Sequence, residues 1–311
     1  MTVTVQVDGN LVRSSILAYR FRIAMNQVLS ATLTLNGLDR PLSESSVIVV
    51  SDTDTRSEHA YRPKSLALQD KTTRILELER ESDKGALQRN LVNQLMATPT
   101  RLPTHAEAEA FFHTFTPSAE DRRADGHFKD FSDFILEQYQ SAPQQTLNTL
   151  LDILRKWGYA VDYQTRPPTI VNATTPNDMV HSLSVPLRGT SSKINYDNDD
   201  VGFKGITKRL VNNKLEDVVV QTRLRGKIVD LGKFPTLARF NALANISQTL
   251  AALTVHSAKV VIRLNEATVL RLYDQVTTPS NLLTHDLWRI DAMDFNIKEG
   301  QCTLSCSGVA E

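Results

Sequence analysis

The chain has 311 residues, with 35 Lys+Arg against 35 Asp+Glu and 41% hydrophobic residues, so its formal net charge is zero. This length suits roughly two domains of ~150 residues with a core that needs neither disulfides nor metals, and the apolar content excludes a disordered chain. A neutral chain with a pI near 7.1 also excludes a protein whose whole surface grips phosphate, because such a surface carries a basic excess.

Residues 1–80 read as sheet. Val3, Val5 and Val7 alternate with polar neighbours, as do Tyr19, Phe21 and Ile23, and then Ala31, Leu33 and Leu35 before the turn pair Asn36-Gly37. Apolar runs at 47–50 and 75–78 extend this region, with loops expected at 51–57 and at Arg62-Pro63. The expectation is an open or closed β-barrel.

From about residue 82 the period changes to that of a helix. Leu87, Leu91 and Leu95 share one face, Thr104 and Glu107 form a capping box, and Phe128, Phe131, Phe134 and Ile135 continue the stripe. A further stripe of Leu147, Leu150, Leu151 and Leu154 starts near Pro143 and stops at Gly158, where a helix end favours a left-handed residue.

Tyr159, Val161 and Tyr163 alternate again. Pro167-Pro168 forces a turn into a second strand at 169–172, which makes a helix followed by a hairpin. The last third predicts strands at 218–224, 259–264, 269–273, 288–297 and 302–307, with a helix at 236–253. In the penultimate strand the apolar phase shifts from Trp288 and Ile290 to Met293, Phe295 and Ile297, which predicts a bulge or strong twist.

Motifs for chemistry are scarce. G-x-G-x-x-G, Walker-type, H-E-x-x-H and G-x-S-x-G patterns are all missing, and 12 glycines leave few phosphate-cradling loops. Asp197-Asn198-Asp199-Asp200-Val201-Gly202 begins like a calcium loop, but Val201 and Lys208 stand where oxygen ligands are needed, so it reads as a solvated turn. His105 and His113, with Glu109 between them, are eight residues apart, roughly 12 Å along a helix, too far to share a metal. Cys302 and Cys306 read as small buried hydrophobes, and on one extended strand their sulfurs are too far apart to bond. Asp121, Asp125, Asp130 and Asp133, mixed with Arg122, Arg123 and Lys129, read as an exposed face of weak ion pairs. The expected catalytic, cofactor and metal residues are therefore none. The first twenty residues lack a secretory leader's charged start and apolar run, and no stretch approaches the about 18 apolar residues of a spanning helix. A chain made in the cytosol without a membrane span is expected.

The order of elements is more informative than any motif. A β-rich start (VQVDGNLVRSSILAYRFRIAMNQVLSATLTL) precedes a helix–glycine–hairpin unit (TLNTLLDILRKWGYAVDYQTRPPTIVN). A final region then carries ALANISQTLAALTVHSAKVVIRLNEATVLRLY and LWRIDAMDFNIKEGQCTLSC. This order resembles the baseplate hub family of contractile phage tails, which is shared with the N-terminal part of type VI secretion spike proteins.

The resemblance implies a mainly β fold with helical insertions: two tube-like β-barrel domains plus small α/β and helical subdomains. The matching division places the first barrel at 1–80, a helical insertion at 81–142 and a helix-plus-hairpin subdomain at 143–175. A second barrel with one embedded helix follows at 176–311. It also implies a homotrimer whose six barrels adapt a sixfold tail tube to a threefold spike in the virion tail or baseplate. The implied partners are the tail tube protein, other baseplate proteins and a spike carried by a separate chain, since no spike or lysozyme region follows. DNA or effectors would pass through the channel without specific binding. The block 81–142 departs from the family pattern. The competing readings are a sixfold distal tail or tube-adaptor protein, a tail-tip cell-wall hydrolase with an unrecognised carboxylate site, and a host-surface adhesin.

Overall fold

The computed structural model describes residues 3–37, 41–53, 55–80, 155–156, 158–164, 169–184, 187–196, 201–212, 214–223, 226–234, 236–278 and 287–308. The helices expected across 82–140, and most of the one ending at Gly158, lie outside the described residues.

The N-terminal strands follow the alternation of the sequence. They are β1 (Val3–Val7), β2 (Asn10–Leu11), β3 (Ser15–Ala24), β4 (Gln27–Asn36), β5 (Ile48–Asp52), β6 (Ser57–Leu68) and β7 (Thr73–Glu79). The period of two places Tyr19 and Phe21 of β3, and Leu29, Ala31, Leu33 and Leu35 of β4, on one buried face. Arg62-Pro63 lies inside β6, contrary to the expected loop. The strand leaves β5 after Tyr61 and joins β7 from Arg62, and its register shifts between Pro63 and Ser65. Proline, which cannot donate to a ladder, is tolerated at such an irregularity.

After the hairpin β8 (Tyr159–Asp162) and β9 (Thr169–Asn172) come β10 (Val180–Ser182), β11 (Ser191–Ile194), β12 (Val201–Val211), β13 (Lys214–Gln221) and β14 (Lys227–Phe234). Helix α1 (Leu237–Leu253), β15 (His256–Arg263), the short helix α2 (Leu264–Ala267), β16 (Gln275–Thr277), β17 (Leu287–Asn296) and β18 (Gln301–Gly308) complete the order. The strand expected at 269–273 is instead a connection that buries Leu270, Leu272 and Tyr273 and leaves Val269 and Arg271 exposed. Tyr273 takes a left-handed backbone conformation, φ 67°, that no extended strand allows, and pairing resumes only at Gln275. The bulge expected in the penultimate strand is present, with the β17–β18 register shifting between Ile290 and Ala292.

Thirteen strands form one sheet in the order β11-β15-β18-β17-β3-β4-β7-β6-β5-β1-β2, with β16 on β17 and β10 on β16. Every pairing in it is antiparallel except β10 with β16. The mainly β class is as expected. The two tube-like barrels are not closed by the described strands, because the sheet ends at β11 and β2 without the two meeting.

One hydrophobic core runs under this sheet from Val5 to Cys306. Phe21 of β3 stacks on Phe295 of β17 with ring centroids 4.3 Å apart and planes 7° apart, and the buried hydroxyls of Tyr19 and Tyr61 meet at 2.8 Å. Such an aromatic pair contributes roughly 0.5–1.5 kcal/mol beyond the area it buries.

The β8–β9 hairpin is a separate two-stranded unit whose buried Ala160 packs with Ala173 and Tyr273, and with Met25 and Leu250 at the edge of that cluster. Gly158, immediately before it, adopts φ 79° at the helix end, as its placement predicts. A methyl group there would stand 2.7 Å from Thr174 Cγ2 and 2.9 Å from Ile246 Cγ2. Gly158→Ala combines a left-handed backbone penalty with overpacking and is expected to lower stability by roughly 2–4 kcal/mol. Urea unfolding of the two proteins measures it.

Candidate functional site

The described residues offer surfaces rather than an enclosed pocket. One concavity, about 800 Å³, is an open groove over the polar faces of β3, β4 and β17, lined also by Arg155 and Tyr163 next to the β8–β9 hairpin. Its floor follows from strand alternation: with Phe21 and Phe295 turned into the core, Arg20, Arg22 and Asp294 must face out. Arg22 Nη1 donates to both oxygens of Asp294, at 2.8 and 3.1 Å, across the β3–β17 ladder, and Arg20 lies 3.6 Å from Glu299. These ion pairs are partly solvated and contribute little stability, ~0–1 kcal/mol each. The groove also holds Glu77, Glu79 and Lys64, so both signs are mixed along it.

Two buried polar nodes tie the hairpin and the chain's last third together. In the first, Arg289 donates from Nη1 to Ala173 O at 2.5 Å and from Nε to Asp291 at 2.9 Å, while its guanidinium carbon lies 4.4 Å over the Tyr273 ring. Burial raises the Asp291 carboxyl above its usual range, opposed by the Arg289 charge, and burial pushes the Tyr273 hydroxyl up to about 12. In the second node, Asp274 is only 3% exposed and accepts from Asn177 Nδ2, the Arg271 amide and His181 Nε2 at 3.0, 3.0 and 2.9 Å. The first node joins β9 and β17, and the second joins β10 to the loop before β16. Asn26, with φ 60° in the β3–β4 turn, completes the anchorage by exchanging two hydrogen bonds with the Val161 backbone, at 2.8 and 2.9 Å. These groups are engaged in structure and fix three regions of the chain to one another.

A third surface overlaps the sequence reading only at the strand expected over 218–224. Strands β13, β12 and β14 form their own three-stranded sheet, β12 central, with α1 on one face. Gly205 permits that packing, since a Cβ there would stand 2.8 Å from the Phe240 ring. The other face is exposed and carries Leu210, Leu215 and Val219. The alternation Ile206, Lys208, Leu210 in GITKRLV was the available signal, obscured by the two glycines before it.

Of the residues weighed from the sequence, Cys302 and Cys306 both lie buried in β18 with free thiols, and burial raises both well above the ordinary thiol range. They pack as core side chains. Val201 and Gly202 of the calcium-like stretch open β12, while Asp197, Asn198, Asp199 and Asp200 lie outside the described residues. His105, Glu109 and His113, and the cluster of Asp121, Asp125, Asp130 and Asp133, also lie outside them. Among the described residues, no group of three or more His, Cys, Asp or Glu side chains is placed to hold a metal ion, and no helix is long and apolar enough to cross a membrane.

The Arg289–Asp291 pair generates a testable outcome. A carboxyl whose folded pKa is raised contributes most below its unfolded pKa, and that stability is lost as pH rises through the folded value. Removing the cation deepens the loss. Arg289→Met is expected to cost roughly 2–4 kcal/mol at neutral pH and less near pH 4, where Asp291 takes up a proton. Urea midpoints at the two pH values check the sign.

No protein-family profile and no curated protein sequence matches the chain. Solved structures do match. The 43 kDa tail protein of prophage MuSo2 from Shewanella oneidensis aligns over 98% of both chains at 9% identity with a TM-score of 0.62. A tail protein from Neisseria meningitidis MC58 aligns over 99% of this chain and 97% of its own at 12% identity, TM-score 0.60. The Escherichia coli c3393 protein, a type VI secretion component similar to the T4 tail proteins gp27 and gp5, aligns over 99% of this chain and 77% of its own at 9% identity, TM-score 0.50. The thirteen-stranded sheet and the units attached to it thus have, across nearly the whole chain, the fold of phage tail proteins.

Proposed function

We propose that the chain is a structural hub of a phage-type tail or baseplate, assembled as a trimer around a central channel. The observation that carries this reading is the end-to-end alignment with the MuSo2 tail protein, 98% of both chains, which leaves little of either fold without a counterpart. The likeness to a type VI secretion component supports the wider class of injection machines. In this reading the hub adapts a sixfold tail tube to a threefold spike, and its sheets line the passage for DNA or an effector.

The chemistry of the described surfaces fits a scaffold. Arg22–Asp294, Arg289–Asp291 and the Asp274 node commit their charged groups to partners within the fold. Catalysis would instead call for a titratable group aimed into a water-excluding pocket. Passage of a polyanion adds one requirement. Residues facing the bore are neutral or acidic, so that the polymer slides, and basic side chains face outward or into subunit contacts.

Counting copies by quantitative mass spectrometry of purified particles tests the reading. The expected result is half as many copies per tail end as of the tube protein per ring. Equal numbers would identify a sixfold adaptor instead. Peptidoglycan release by the purified chain, abolished by changing one carboxylate, would overturn the purely structural role.

A further inference from the structure

We draw no further inference here: the strongest candidate, the open groove over the polar faces of β3, β4 and β17 with Arg22, Glu79, Arg155 and Asp294 along it, mixes both signs of charge, and nothing in the structure shows what covers it.

Discussion

Everything in this fold depends on one ladder. Residues 20–24 of β3 pair with residues 292–296 of β17, so two segments some 270 positions apart become neighbours in a single sheet. The Phe21–Phe295 stack beneath the ladder and the Arg22–Asp294 fork above it mark the same register from the dry and wet sides. A one-residue slip would turn both inside out, placing the charges in the core. Closing so long a loop costs entropy that grows only slowly with its length, and the shared core from Val5 to Cys306 offsets it.

With the ends joined, the middle of the chain has to leave and return. It returns at Gly158, where a left-handed turn fits between Thr174 and Ile246, and the β8–β9 hairpin that follows is anchored from three directions. Asn26 holds it to the β3–β4 turn, Arg289 holds its end to β17, and Leu250 brings α1 against it. From that fixed point α1 runs under the β13–β12–β14 sheet, held close by Phe240 against Gly205. Packing is thus continuous from the large sheet through the β8–β9 hairpin and α1 to the base of the β12–β13 hairpin.

Much of this was legible. Strict alternation located β1, β3 and β4, apolar runs located β5 and β7, the phase shift at Ile290 located the bulge in β17, and the buried spacing of Phe240, Leu243, Ala244 and Ile246 matches the helix read at 236–253. What was not legible depends on backbone or on distant partners. Arg62-Pro63 looks like a loop, yet it is where β6 changes neighbours, a choice made by the strands around it. The run 269–273 looks like a strand, yet Tyr273 turns left-handed so that Asp274 can collect its three donors. Of the β13–β12–β14 sheet only the strand expected at 218–224, which overlaps β13, is legible; β12 is hidden because Gly202 and Gly205 break the apolar pattern where close packing against Ile228 and Phe240 requires no side chain. Whether a sheet closes into a barrel leaves no trace in side-chain order, since closure is made by backbone hydrogen bonds. The exposed face, for its part, reads as ordinary polar strand until the register pairs Leu210 with Leu215.

The central claim is that the β3–β17 ladder and the core beneath it hold the described fold together. Hydrogen exchange on the full-length chain tests it most directly. The account predicts that amides of residues 20–24 and 292–296 are the slowest to exchange and lose protection together, while those of residues 208–210 and 214–217, exposed beyond Thr207, exchange earlier. Residues 292–296 that open while 20–24 stay protected would contradict it.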